Sequence, residues 1–290
     1  MKARRYKYVG RWGEAGTGLG QFKEPHGINF DLDGNVLLTE NKLCHVYRFT
    51  PQGKLLGEFK ADAKGYVAPR DVAQDAAGNV YVADADAGRV LRFDSTGGLI
   101  ATWGDKESGD AKLIMPMAIG IGRNGRIYIT DVKSERVKVY DPSGKYLFGW
   151  GKPGTGPGEF DSPHGITVDP AGNVFVSEYE GGRCQKFTAD GVHLLTFAVS
   201  GSPPHHVHSV TSDRIGNVYL TVRVLAPGNE TTIIAKYSND GVFITQFAPP
   251  ASAAPHFVAN CAAADSLGRV FVADRGEGSV GVHIFAPVTR

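Results

Sequence analysis

The sequence predicts an all-β chain closed into a six-bladed β-propeller. Three observations carry that prediction: one hairpin unit recurs six times, long amphipathic helical patterns are absent, and a strand near the N-terminus has no partner in its own unit. Each unit runs from an apolar stretch through a short glycine turn into alternating apolar residues. The copies are FDLDGNVLLTE ending at Glu40, AQDAAGNVYVAD at Asp84, GIGRNGRIYITD at Asp131, TVDPAGNVFVSE at Glu178, TSDRIGNVYLTV at Val222 and AADSLGRVFVAD at Asp274. Their turn glycines, Gly34, Gly78, Gly125, Gly172, Gly216 and Gly268, are spaced by 44, 47, 47, 44 and 52 residues, the period of a four-stranded blade. With 38 glycines and 16 prolines among 290 residues, and frequent valine, phenylalanine and tyrosine, the composition suits many short strands joined by tight turns.

Each hairpin continues into a third strand, such as Arg89-Val90-Leu91-Arg92-Phe93 or Arg136-Val137-Lys138-Val139-Tyr140, then a turn such as Asp141-Pro142-Ser143-Gly144, then a fourth strand. Two fourth strands end in Trp103-Gly104 and Trp150-Gly151, and the same ending, Trp12-Gly13, precedes the first complete unit. The sixth unit stops after His283-Ile284-Phe285, so residues 6–13 are expected to supply its fourth strand and close the ring, removing two sheet edges. The expected organisation is a single domain over residues 1–290, with blades at about 25–59, 69–104, 116–151, 163–198, 205–248 and 256–290 plus 6–13.

The segments from Trp12 to Ile28 (WGEAGTGLGQFKEPHGI) and from Trp150 to Ile166 (WGKPGTGPGEFDSPHGI) are near duplicates. On these segments and the six units, the whole chain resembles NHL-repeat propellers. The glycine-rich stretch from Gly16 to Gly20 is not a phosphate loop, because it follows an outer strand, precedes no helix and recurs at Gly154 to Gly158.

Lys+Arg 31 against Asp+Glu 30 leaves a net charge of +1, which gives no reason to expect nucleic acid or an anionic membrane as partner. The basic start Met1 to Arg5 is not followed by the apolar core of a secretory signal, and no apolar run approaches membrane-spanning length. Cys44, Cys184 and Cys261 are odd in number, far apart and outside any CxxC pattern, so free thiols in a reducing compartment are expected. A monomeric, cytoplasmic protein is the resulting expectation.

In a propeller the first strand of each blade is innermost, and its start faces the channel. Eight residues before each turn glycine stand His26, Arg70, Met117, His164, His208 and Asn260. A purely structural repeat position would hold one apolar type; three histidines at equivalent places point to a metal or anion, since imidazole is the commonest metal ligand. The run Pro203-Pro204-His205-His206-Val207-His208 adds two imidazoles, and His256 follows Pro255 at the sixth blade; His205, His206 and His256 are expected in loops over the mouth. The acids closing the second strands read as structural, because Asp84, Asp131 and Glu178 are each followed five residues on by Arg89, Arg136 and Arg183. The position after them varies: Asn41, Ala85, Val132, Tyr179, Arg223 and Arg275.

Among NHL propellers the pattern resembles the peptidyl-α-hydroxyglycine α-amidating lyase family. That family carries zinc-binding histidines in Pro-His-Gly or Pro-His-Ser contexts, with an arginine and a tyrosine after second strands. His26 in Pro-His-Gly and His208 in Val-His-Ser match; Arg275 and Tyr179 sit in similar settings; Met117 stands where a third alternate-blade histidine would be, and His164 lies opposite His26. The resemblance implies a divalent metal, zinc first, held by His26, His164 and His208. It implies Tyr179, Arg275 and Arg70 as catalytic groups and Arg223, His205, His206, Asn260 and Met117 as substrate contacts. The expected reaction is carbinolamide-type C–N or C–O cleavage of a small or peptide substrate. Two alternatives stay open: a lactonase-like hydrolase using a calcium-type ion in the channel with Glu40, Asn260 and Asp274 as ligands, and a non-catalytic scaffold that grips a peptide or protein.

Overall fold

The structure, a computed structural model, describes residues 5–61, 63–199, 205–226 and 229–288. Its strands form six four-stranded antiparallel sheets arranged as blades around a channel. The innermost strands are Pro25–Phe30, Pro69–Gln74, Pro116–Ile121, Pro163–Val168, His205–Ser212 and Ala259–Ala264. Tyr6–Trp12 pairs antiparallel with Gly281–Pro287 and completes the sixth blade, as the unpartnered N-terminal strand requires. Its Tyr6 ring stacks on Phe247 of the fifth blade at 4.4 Å, and its hydroxyl meets that of Tyr219 at 2.8 Å. The closing strand therefore locks two blades.

The second strands Val36–Glu40, Val80–Asp84, Ile127–Asp131, Val174–Glu178 and Val270–Asp274 are buried at every residue, because each blade is covered on both faces by its neighbours. Aromatic side chains fill the wedges between blades. Trp103 shows why tryptophan recurs at the end of fourth strands: its indole lies beneath the hairpin of the next blade at Gly144, where a Cβ would come within 2.7 Å of the ring. Only glycine permits that approach.

The repeated acids are structural, and their partners define the blade junctions. Glu40, Asp84, Asp131, Glu178 and Asp274 are fully buried. Each accepts backbone N–H groups from the loop that leads into its own blade: Asp84 Oδ1 from Val67 and Ala68 at 2.9 and 2.8 Å, and Asp131 from Ile114 and Met115 at 3.0 and 2.8 Å. Lys23, Asp161 and Val258 donate equivalently to Glu40, Glu178 and Asp274. The expected arginine pairing holds for Asp84–Arg89 at 3.0 Å and Glu178–Arg183 at 2.7 Å. In the third blade it is corrected. Lys138, two residues along the same face of the strand and 3% exposed, pairs with Asp131 at 2.9 Å, while the half-buried Arg136 reaches the exposed Asp110.

Among the described residues no helix is long and apolar enough to cross a membrane. Cys44, Cys184 and Cys261 are free.

Asp84→Ala removes the acceptor for two loop amides and strands Arg89, which is 3% exposed. Urea denaturation is expected to show a loss of about 3–5 kcal/mol. A loss below about 1 kcal/mol, the scale of a surface pair, would contradict a buried staple.

Candidate functional site

All six inner strands carry a β-bulge near their start. The register slips between Pro25 and Ile28, Pro69 and Asp71, Pro116 and Ala118, Pro163 and Ile166, Val207 and Ser209, and Ala259 and Cys261. The slipped residues include His26, Arg70, Met117, His164, His208 and Asn260. A bulge frees its residue from the ladder and re-aims the side chain, which turns this ring into the channel. All six line a cavity of about 420 Å³ at the mouth. Below the ring the channel narrows to a waist of about 30 Å³ and opens into a second chamber of about 240 Å³.

The Pro-His-Gly sequence has a geometric reason. At Gly27 a Cβ would sit 2.5 Å from the Arg70 carbonyl oxygen, and at Gly165 it would sit 2.7 Å from the Val210 nitrogen. Glycine lets the inner strands of adjacent blades close up. In consequence His26 Nδ1 donates to the Arg70 carbonyl and His164 Nδ1 to the His208 carbonyl, both at 2.8 Å. A carbonyl only accepts, so both imidazoles carry their proton on Nδ1 and keep the Nε2 lone pair free.

The three rings converge: His164 and His208 have centroids 4.3 Å apart, His26 and His208 5.4 Å, and His26 and His164 6.4 Å across the channel. Burial, reinforced by Arg70 and the neighbouring histidines, pushes His26 well below the ordinary imidazole value, and burial does the same to His208. His164 is pushed down to about 4, again chiefly by burial. All three are neutral at pH 7. His26 and His164, neutral and held by Nδ1–carbonyl bonds, have the donor chemistry and outer-shell support of zinc ligands, and His208 adds a third neutral imidazole. Imidazoles sharing a tetrahedral zinc at Zn–N of about 2.0–2.1 Å have ring centres roughly 5 Å apart; His26 and His208 stand near that separation, while His26 and His164, at 6.4 Å, stand farther apart. Among the described residues no group of three His, Cys, Asp or Glu is gathered tightly enough to hold an ion.

Above the ring, Val132, Tyr179, Arg223 and Arg275 line the mouth, so the variable position after the second strand does face the cavity. Arg223 Nη1 donates to the Tyr179 hydroxyl oxygen at 3.1 Å, leaving the phenolic proton free to point elsewhere. Among the described residues the Arg275 guanidinium has no hydrogen-bond or ion-pair partner. Arg70 lies 3.8 Å from Glu24.

Several expectations are corrected. Asn260 is 2% exposed and both ends of its amide are engaged, Oδ1 by Arg223 at 3.5 Å and Nδ2 by the Pro25 carbonyl at 3.0 Å; it braces the wall more than it offers a substrate contact. His205 and His206 lie on the fifth inner strand, not in a loop, and neither lines the cavity. The reason is Val222, which replaces the acid of the other blades, so the strand pairs two residues further, His205 with Val224 and His206 with Arg223. His206 instead packs on the Tyr179 ring at 4.2 Å. His256 lies in an exposed turn, and Pro203 and Pro204 fall outside the described residues. Glu40 and Asp274, drawn on for a calcium-type site, are committed to backbone amides and lie outside the channel lining.

Other channel residues carry no mark in the sequence. Asp71, next to the ring, accepts from the Ile119 amide at 2.9 Å and lines both waist and lower chamber, and burial pushes its carboxyl up to about 7. Glu24, Met115 and Ser162 line the mouth. A repeat register that extends one residue past the ring would flag Asp71; the others lie in loops of unequal length.

A family model described as "6-bladed beta-propeller" matches residues 118–196. Peptidyl-glycine alpha-amidating monooxygenase of Mus musculus is 31% identical over 105 residues, which covers 33% of this chain and 11% of that protein. The match thus takes in about a tenth of the curated relative's length. Virginiamycin B lyase from Staphylococcus aureus superposes with a TM-score of 0.67 at 17% identity, covering 99% of this chain and 89% of that one. A gluconolactonase from Xanthomonas campestris gives 0.69 at 15% identity over 93% and 88%. Both structural neighbours are enzymes by name, and at these identities they show the propeller fold.

The buried neutral histidines set a sign for acid stability. Their folded-state values lie below that of an unfolded histidine, about 6.5, so the folded chain loses stability as pH falls from about 6.5 towards 4. Asp71 acts in the opposite sense, costing stability as pH rises from about 4 towards 7. Comparison with His164→Gln removes the Asp71 contribution. The variant's unfolding free energy from urea titration is expected to fall less steeply than that of wild type between pH 6.5 and 4.5, by up to about 1.4 kcal/mol per pH unit; parallel curves would refute a neutral His164.

Proposed function

We propose that the chain is a lyase that cleaves the C–N or C–O bond of a small hydroxylated substrate at the mouth of the channel. One observation carries the reading: three neutral imidazoles meet beneath a cavity that also holds Tyr179 and the unpartnered Arg275. Such convergence favours chemistry over a scaffold role. The amidating enzyme matched over a third of the chain supports it, as does the likeness to virginiamycin B lyase. One solved structure of that lyase is a catalytically inactive histidine-to-alanine variant with quinupristin.

His26, His164 and His208 stand too far apart to hold an ion as they lie; drawn together they would hold a divalent ion, zinc first, and the chemistry it would supply is Lewis-acid polarisation of the substrate oxygen. The chain's own groups account for binding and proton movement. Arg275 of the sixth blade and Arg70 of the second line the same cavity, and Arg275 pairs with a substrate carboxylate. As the carbinol O–H gives up its proton and a C=O forms, the C–N electron pair leaves on nitrogen, which takes up a proton. Tyr179 is the group in the cavity suited to carry that proton, because Arg223 and His206 fix its ring while its own O–H stays available. The lactonase alternative keeps the likeness to a gluconolactonase, but two of the ligands it draws on, Glu40 and Asp274, accept backbone amides and lie outside the channel lining.

Turnover of N-acyl-α-hydroxyglycines to amide and glyoxylate, followed by glyoxylate release, tests the reading. Tyr179→Phe is expected to lower kcat by roughly 10²-fold or more. Purified protein should carry about one equivalent of zinc, lost in the His26→Ala/His208→Ala double variant. If turnover is absent in metal-replete wild type, the lyase reading falls.

A further inference from the structure

We propose that the face opposite the mouth docks on an anionic lipid surface, with Leu32, Ile215 and Leu267 entering the boundary between headgroups and acyl chains. The inference is independent of the reaction at the mouth, which this orientation leaves open to solvent.

Each inner strand starts at the mouth, so the hairpin that joins it to the second strand turns at the other end of the channel. At these turns the fifth and sixth blades carry Ile215 and Leu267, and the first carries Leu32 one position earlier; they are 79, 70 and 66% exposed. The three blades are consecutive around the closed ring. The other three have Ala76-Ala77, Arg123-Asn124 and Pro170-Ala171 in the same places. The turn does not call for an aliphatic tip, because the aspartate that opens it holds it. In the fifth blade the Asp213 carbonyl accepts the Gly216 N–H at 3.0 Å and its carboxylate accepts the Asn217 N–H at 2.9 Å. A serine at the tip would serve the fold equally, yet three large aliphatic side chains stand in water along one side of one face.

Charge and shape both point to lipid. The first and last strands meet beside the Leu267 turn: the Tyr6 hydroxyl donates to the Gly268 carbonyl at 3.3 Å, and the N–H of the exposed Val288 donates to the Arg5 carbonyl at 2.8 Å. Arg5 and Arg214 are exposed, and in sequence Lys2 and Arg4 lie within three residues of Arg5 and Arg290 within two of Val288. Against them stand the exposed acids Asp33 and Asp240. The net charge of +1 averages over the whole surface and hides such a cluster. Projecting aliphatic tips among cations suit acyl chains beneath anionic headgroups, where apolar burial and attraction to the surface potential add.

Sedimentation of the full chain with large unilamellar vesicles tests the proposal. Binding to phosphatidylcholine vesicles that are roughly one-third phosphatidylserine is expected to exceed binding to pure phosphatidylcholine by at least about tenfold, and to weaken as salt rises from about 0.05 to 0.5 M. Leu32→Ser/Ile215→Ser/Leu267→Ser should weaken binding to the mixed vesicles by at least about tenfold. Arg5→Glu/Arg214→Glu, which leaves the tips in place, should bring binding to the mixed vesicles within about threefold of that to phosphatidylcholine alone. The proposal is overturned if wild type binds the two kinds of vesicle alike, or if both variants bind the mixed vesicles as tightly as wild type does. It is equally overturned if wild type self-associates without vesicles and the serine variant does not, which would assign the face to a second copy of the chain.

Discussion

The site depends on one repeated interaction: a fully buried carboxylate at the end of the second strand that accepts the backbone N–H groups of the loop leading into the same blade. A carboxylate in this position is costly unless its oxygens are satisfied. Loop amides and a paired arginine, lysine or histidine satisfy them, and in doing so fix where the chain enters the inner strand. In the five blades that carry the acid the bulge follows within two residues and its side chain turns to the channel; the fifth blade keeps its bulge at His208 without the acid. The staple thus carries its effect from the core to the reactive surface through backbone geometry.

The close approach of neighbouring inner strands adds the second constraint. With no Cβ at Gly27 and Gly165, each imidazole of a Pro-His-Gly segment reaches the carbonyl of the next blade. The bond is made between blades, so ring orientation is a property of the closed assembly. Closure by the N-terminal strand therefore matters to the site as well as to stability. The same closeness desolvates the histidines, and three neighbouring arginines oppose their protonation further. Neutral imidazoles with lone pairs facing inward follow from packing alone.

The repeat, its closure and the channel ring were legible in the sequence because each is a matter of counting: six turn glycines, one unpartnered Trp12-Gly13 strand, one offset of eight residues. What could not be counted was contact between blades. Arg136 has the right spacing from Asp131, yet Lys138, buried on the same face of the strand, takes the pairing. Asn260 reads as a free amide until its partners in the fifth and first blades are seen. Asp71 follows Arg70 without any motif, and its place at the waist emerges only from the ring geometry.

The fifth blade shows how a departure from the repeat reshapes the mouth of the channel. Its second strand reaches Val222 where the others reach an acid, and Val222 is fully buried. Without a carboxylate there is nothing to tie the incoming segment, so that segment extends the β-ladder, and the second strand runs to Ala226 against Asn229–Tyr237. The longer hairpin carries Arg223 over the mouth and His206 onto Tyr179, which belongs to the fourth blade. One substitution of acid by valine thus trades a structural staple for a raised wall. That wall buttresses the tyrosine on two sides, by a guanidinium at its oxygen and an imidazole on its face. The symmetric scaffold supplies six equivalent positions; the mouth is raised where one blade abandons the rule.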